Sequence, residues 1–395
     1  MSKRPDPHPF PSPQGGGEGE GGELPRRHAE RGVEADDLAV EVAVFDHVAH
    51  QRGILRRLAE ELRKRHRCRE TLLRRFRQCV QQVIVARDTG FDAIASGHHY
   101  VSPPYIALQN LPFLARLAAD SGTMDLVLAV TLLALLNPVQ TAEEIATLDV
   151  MSEGRVVFGV GIGYREEEFA AFGLQVSDRV PRMLEGLRLM QRLWTEDNIT
   201  HQGRYFNLRD ATSTIRPVQK PHPPIWIAAN ADKAVERTGR LGYPWFINPH
   251  AAMPTTERQW GLYKAALAAN GHQVPDARPM ILELHVAETR EEAFATAQPH
   301  LESKYAAYAA WGQDKALPGQ ESFRVPFAEL AQDRFILGSP DDVIEQLEDR
   351  ITRLDANYFI FRAGWPGMEM WKILKCVELM GDKVLPHFHK KYGQG

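Results

Sequence analysis

Apolar residues in this chain change period from helical to strand-like and back, again and again. Leu72, Phe76, Cys79, Val80 and Val83 fall three to four apart, which predicts an amphipathic helix over about 71–88, stopped by Gly90. A short apolar run at 91–96 then reads as a strand, 111–121 as a helix, 126–133 as a strand and 142–151 as a helix. The same pattern predicts strands at 155–160, 225–229, 245–247, 281–287 and 358–362. Helices are expected at 182–194, 232–241, 256–269, 290–311, 340–354 and 368–384. The stretches 195–224 and 312–338 read as irregular. Almost every strand is a continuous apolar run, as expected of a parallel sheet covered on both faces. The unit count approaches that of an α/β (β/α)8 TIM barrel, with its first strand poorly specified.

The missing strand directs attention to the N-terminus. Residues 1–37 are a Pro-rich and then Gly/Glu-rich tract with little to bury, and they read as disordered. Val40, Val42 and Val44 alternate, so 40–45 is a candidate strand. Residues 54–67 read as a basic helix whose Arg63, Lys64, Arg65 and Arg67 form a solvated face. The expected organisation is an N-terminal extension over 1–70 and a barrel domain over 71–390. Either 40–45 supplies the first strand through an unusually long connection, or residues before about Arg69 are not part of the ancestral barrel.

Bulk properties narrow the function classes. The 395 residues carry a net charge of −4, with 44% hydrophobic and 25% charged residues. That balance suits an ordinary globular core and gives no electrostatic reason to expect a nucleic-acid partner. The apolar window 126–136 is shorter than the ~20 residues that span a bilayer. No secretory leader is recognisable, so a soluble, cytoplasmic protein is expected. Cys68, Cys79 and Cys376 are scattered and odd in number, against a disulfide framework and against a zinc site.

Chemistry in a barrel sits where the strands end, and those ends carry a distinctive set of residues. His98 and His99 follow the strand at 91–96. As neighbours they point to opposite faces, so they do not chelate one ion, and no metal site is expected. Thr131 and Asn137 follow next. Asn137 could contact a planar ligand or cap a helix, although Thr141 stands closer to the expected helix start. The strand 155–160 runs into Gly159, Gly161 and Gly163 and then Tyr164, an arrangement suited to bringing a ligand close to backbone amides. Glu166, Glu167 and Glu168 read as a solvated helix start. Ala229, Asn230 and Ala231 open another helix and form a second set of amides able to face an anion. Asn248, His250, His285, Arg362 and Trp365 complete the strand ends. A phosphorylated, flat, aromatic cofactor suits such a mouth. A dinucleotide fingerprint does not fit, because the third glycine comes one residue too early.

Several blocks resemble the bacterial luciferase-like flavin-dependent oxidoreductases. They are Asn137-Pro138, Leu148-Asp149-Val150-Met151-Ser152-Glu153-Gly154-Arg155, Gly159-Val160-Gly161-Ile162-Gly163-Tyr164, Arg216-Pro217-Val218-Gln219-Lys220-Pro221, Pro224-Ile225-Trp226-Ile227-Ala228 and Leu337-Gly338-Ser339-Pro340. The resemblance covers roughly 72–386 and implies a TIM barrel that binds reduced FMN, or the deazaflavin F420 in one branch. FMN members use O2 to oxygenate a small organic substrate and usually receive reduced flavin from a separate reductase. Deazaflavin members move a hydride, and some relatives are non-catalytic partner chains. By position, the resemblance implies His98 as the catalytic polar group beside the flavin. It further implies Thr131 and Asn137 at the ring, and Gly161, Gly163, Tyr164, Ala229, Asn230 and Ala231 at the phosphate side. Dimers are the family's habit, so a homodimer without nucleic-acid or membrane partners is expected. The first strand departs from the family pattern, and Ala228-Ala229-Asn230 replaces a glycine-rich turn.

Overall fold

The structure, a computed structural model, describes residues 69–102, 107–310, 313–314, 317–318 and 321–393. The readings for 1–37, 40–45 and 54–67 lie outside the described residues. The first described helix, α1 (Arg69–Asp88), leads to β1 (Ala93–Ser96), α2 (Asn110–Leu117), β2 (Asp125–Leu132), α3 (Pro138–Met151) and β3 (Val156–Gly161). Then come α4 (Glu166–Ala171), α5 (Arg179–Thr195), a hairpin of β4 (Ile199–Gln202) and β5 (Asn207–Ala211), β6 (Ile225–Ala228), α6 (Asp232–Arg240) and β7 (Trp245–Phe246). The C-terminal part holds α7 (Met253–Ala269), β8 (Pro279–Val286), α8 (Arg290–Ala310), α9 (Phe327–Ala331) and β9 (Ile336–Gly338). It ends with α10 (Pro340–Leu354), β10 (Tyr358–Arg362), α11 (Met370–Leu379) and α12 (Leu385–Tyr392).

Five parallel strands pair in the order β1-β2-β3-β6-β7, and β8 pairs in parallel with β10 along its first half and with β9 along its second. Ile247 bridges to Met280, with its carbonyl accepting from Ile281 N–H at 2.9 Å, and so joins β7 to β8. The result is a parallel α/β barrel with helices outside. Its interior is a layer of Ala95, Val127, Ala129, Val157, Trp226, Phe246, Ile281 and Ile360. Side chains one position along each strand pack outward instead, as Leu126, Phe158 and Ile227 do against the helices.

The glycines of β3 answer first to packing. β2 changes register against β3 between Leu128 and Thr131, and a Cβ at Gly159 would collide with the Leu128 carbonyl oxygen. One at Gly161 would come within 2.8 Å of Val130 Cγ2. Gly163, at φ +72, makes the turn out of the strand. Two expectations are corrected. The segment 195–224 is not irregular throughout, since it contains the antiparallel β4–β5 hairpin. The stretch 312–338 likewise holds α9 and β9. Among the described residues, no helix is long and apolar enough to cross a membrane.

Candidate active site

Because the strands are parallel, the C-terminal ends of β1, β2, β3, β6, β8 and β10 share one rim. His98 stands just beyond β1 and is buried. Its Nδ1 accepts from the Leu132 amide at 3.2 Å, which leaves the proton on Nε2, donated to Gln109 Oε1 at 2.9 Å. Gln109 Nε2 in turn donates to the His99 carbonyl at 2.9 Å, so one amide fixes both histidines. Burial lowers the His98 pKa to about 4, outweighing the Gln109 hydrogen bond. A neutral imidazole held at both nitrogens orients its neighbours and has no imidazolium proton to give near neutral pH.

His99 is also buried, and its Nδ1–H donates to Glu168 Oε1 at 2.7 Å. The Tyr100 amide donates to the same oxygen at 2.9 Å. Burial lowers the His99 pKa, with Glu168 opposing it. The reading of Glu166–Glu168 as one solvated trio therefore fails for its last member. Glu166 and Glu167 are exposed, but Glu168 is 0% exposed and ties α4 to the loop after β1.

The remaining expected residues divide into two groups. Thr131 is buried at the end of β2, and its Oγ1 accepts from Asn110 Nδ2 at 3.2 Å. Asn137, not Thr141, caps α3: its Oδ1 accepts from the amides of Val139 at 2.9 Å and Gln140 at 3.4 Å. Tyr164 is 42% exposed, with its ring edge-on to His99 at 6.2 Å between centroids. On the other side, the Ala229 carbonyl accepts from Trp245 Nε1 at 2.9 Å, and Asn230 Oδ1 accepts from Asn248 Nδ2 at 2.7 Å. Ala231 stands at the N-cap of α6 and supplies no side-chain cap. The first-turn amides of that nine-residue helix thus face the rim without side-chain acceptors.

Sequence reasoning named Arg362 and Trp365 at the rim but missed Glu283 and Lys304, which join them in its charged centre. Glu283 projects inward from β8, directly above Ile281, and is completely buried. Its Oε1 lies 3.1 Å from Lys304 Nζ and 3.2 Å from Arg362 Nη1, and its Oε2 accepts from Trp365 Nε1 at 2.7 Å. Burial pushes the Glu283 pKa up, but Lys304 and Arg362 outweigh it and hold the carboxyl below its ordinary value. The signal was present: in Ile281-Leu282-Glu283-Leu284-His285 the polar residues share the face of Ile281. His250 and His285 flank this group, and burial lowers both, His285 to about 4. Among the described residues, their Nδ1 atoms have no partner in the protein. No three His, Cys, Asp or Glu side chains among the described residues gather to hold a metal ion.

This rim suits a planar ligand with polar edges and an anionic tail. Uncapped amides open α6, small residues line the turn, and buried imidazole nitrogens wait for partners. Comparison with known proteins adds independent information. Residues 61–356 match the luciferase-like monooxygenase family. An F420-dependent glucose-6-phosphate dehydrogenase of Amycolatopsis mediterranei is 26% identical over 330 residues, 78% of this chain and 94% of that one. An FMNH(2)-dependent dimethylsulfone monooxygenase of Pseudomonas putida is 30% identical over 141 residues, 35% of this chain and 39% of that one. The monooxygenase RslO1 from Streptomyces bottropensis superposes with a TM-score of 0.70 at 24% identity, covering 80% of this chain and 94% of its own.

Proposed function

Since the chain belongs to the luciferase-like monooxygenase family of flavin-dependent oxidoreductases, we propose that it is a monooxygenase of the reduced-FMN branch. It takes reduced flavin from a separate reductase and uses O2 to oxidise a small organic substrate. The observation that carries this reading is the convergence of His98, Thr131, Gly161, Gly163 and the uncapped start of α6 on one barrel rim. The amides of Asp232 and Lys233 in α6, approached over Ala229, Asn230 and Ala231, bind the phosphate end. Those around Gly161 and Gly163 serve the same end from β3. Thr131 and Asn137 border the ring, and Tyr164 stands with Gly161 and Gly163 at the phosphate side. Bound reduced flavin supplies the electrons that activate O2.

The chain's own part is binding, orientation and exclusion of water. His98, locked between Leu132 and Gln109, fixes the end of β1 against the end of β2. The His99–Glu168 pair fixes the next residue from beneath. Folding α8 and β10 over Glu283 buries Lys304 and Arg362 beside the rim, where a desolvated positive charge favours an anionic ligand. The barrel domain is taken to run over 71–390, with 1–70 as an extension.

A deazaflavin reading remains the alternative, because the F420-dependent relative is similar along 94% of its own length. One experiment separates the readings. The purified protein is titrated anaerobically with reduced FMN and with reduced F420, then exposed to O2 in the presence of a flavin reductase. Binding of reduced FMN is expected, with its reoxidation by O2 altered by the protein. Binding of F420 alone moves the protein to the hydride-transfer branch, and binding of neither ends the proposal.

A further inference from the structure

The turn after β7 is pinned through its backbone, while its imidazole is left unpaired. The His250 amide donates to Asn248 Oδ1 at 2.9 Å, and Asn248 Nδ2 reaches Asn230 ahead of α6. The Pro249 carbonyl accepts from Tyr305 Oη at 3.1 Å. The His250 carbonyl accepts from Arg334 Nε at 2.8 Å, and Arg334 gives its other nitrogens to the Leu330 carbonyl and to Glu321. Arg334 is therefore committed to placing His250. Yet His250 Nδ1 is buried and, among the described residues, has no partner in the protein. A buried polar atom left unmet destabilises the fold, and a ligand atom beside it removes that cost.

The surroundings select the kind of atom. Tyr308 stands edge-on to the imidazole at 5.1 Å between centroids, with Tyr305 at 6.2 Å and Phe323 at 6.3 Å. Lys304 Nζ lies 5.7 Å from the centre of the Tyr308 ring. Burial, followed by the charges of Arg362, Lys304 and Arg334, holds the His250 pKa well below its ordinary value. The ring is thus neutral, with one N–H to donate, and it stands in a positive field. The neighbouring carboxylates are engaged, Glu283 with Lys304, Arg362 and Trp365, and Glu321 with Arg334 and the Ala252 amide. A cation is disfavoured here, whereas an oxygen bearing negative charge gains both the hydrogen bond and the field. The aromatic walls suit a flat group behind that oxygen. The place belongs to the rim, since Arg362 acts on His99, after burial, as it does on His250.

We propose that His250 is a specificity-determining residue whose ring N–H holds the carboxylate of a planar substrate against the Tyr308 and Phe323 rings. The inference rests on the flavin reading above only in calling that ligand the substrate. Arg334 is a positioning residue for it, acting through the His250 carbonyl.

The test uses the full-length, flavin-free protein labelled with 15N-histidine, with sodium benzoate as probe and benzamide as its uncharged counterpart. The His250 ring resonances, assigned by their loss in His250→Phe, are expected to move saturably with benzoate. By calorimetry, benzoate is expected to bind at least ~10-fold tighter than benzamide, the worth of one charge-assisted hydrogen bond. His250→Phe keeps an aromatic ring among its neighbours but has no N–H, and should lose that ~10-fold preference. His250→Asn carries an amide N–H at the same branch and should recover benzoate affinity to within ~3-fold. Stationary His250 resonances, equal affinity for the two probes, or equal loss in both variants overturns the proposal. If His250→Phe does not fold, the unmodified protein and His250→Asn decide. A second titration, on protein saturated with FMN, separates two sources of the anion. Benzoate binding that persists assigns the site to the substrate, whereas displacement of benzoate by FMN assigns His250 to the cofactor phosphate and overturns the proposal. Benzoate bound selectively by protein that takes up no flavin leaves the carboxylate site standing and ends only the flavin reading.

Discussion

Replacing Glu283 by Gln is the most informative single change at the rim. The side chain keeps its size and can still accept from Trp365 Nε1, but the negative charge disappears. Lys304 is 1% exposed and Arg362 5% exposed, so neither cation can turn to water when its carboxylate is lost. Breaking a buried ion pair from one side costs ~3–5 kcal/mol, because the partner remains buried and uncompensated. Here one carboxylate serves two cations at 3.1 and 3.2 Å, which places the expected loss at the upper end of that range. Set against the ~5–15 kcal/mol that holds a typical domain together, this is a large fraction of the whole. Urea unfolding followed by circular dichroism measures it, with Lys304→Met and the double variant completing a cycle. The double variant is expected to lose less than the sum of the singles by ~1–3 kcal/mol. A loss below ~1 kcal/mol for Glu283→Gln, or strict additivity, would refute the argument that this carboxylate holds both cations. The pH dependence has a definite sign. A folded pKa below the unfolded value means the contribution is complete above ~4.3 and is lost as pH falls through the folded value.

Two further outcomes follow from the same geometry. His98 and His285 are both lowered to about 4, so the unfolded chain binds their protons near 6.5 while the folded one does not. Stability is therefore expected to fall with falling pH between ~6.5 and ~4, by ~3 kcal/mol for each histidine at ~1.4 kcal/mol per pH unit. Unfolding curves across that range, with histidine C–H resonances to assign the protons, check it, and a flat profile contradicts it. Gly159→Ala is expected to cost more than ~3 kcal/mol, because the new methyl meets the Leu128 carbonyl at the β2 irregularity. Gly173→Ala is the control: φ is +67 but nothing lies within 4 Å, so ~1–2 kcal/mol of backbone strain is all it should show in the same assay.

What the sequence could announce was set by periodicity, and what it could not was set by contacts between distant residues. Strands such as Leu126–Val130 and Val156–Gly161 carry no polar side chain because both faces are covered, and their reading as parallel staves needed no tertiary information. The β4–β5 hairpin escaped because it lies outside the barrel and its residues, Ile199-Thr-His-Gln and Asn207-Leu-Arg-Asp-Ala, are largely exposed and polar. Glu168 was indistinguishable from Glu166 and Glu167 in sequence. Only its approach to His99, 69 residues earlier, selects it for burial. Asn137 was legible as a cap, since proline follows it at the first helical position, and Thr141 was a poorer choice on the same rule. The three glycines at and after the end of β3 looked like one ligand-facing device, and β2 accounts for the first two, through the Leu128 carbonyl at Gly159 and the Val130 side chain at Gly161.

Two of the rim's buried groups depend on a neighbouring strand for their placement. β1 runs directly into His98, whose position depends on the Leu132 amide at the end of β2. β10 ends at Arg362, whose position depends on Glu283 of β8. Each of these two rim residues thus has a partner on the neighbouring strand, β2 for His98 and β8 for Arg362. Ligand affinity should then divide by element. On the proposed reading, Gln109→Ala, which frees His98 Nε2, is expected to loosen the orientation of the ring while phosphate affinity at the start of α6 is kept, and equal loss of both in a titration contradicts that division.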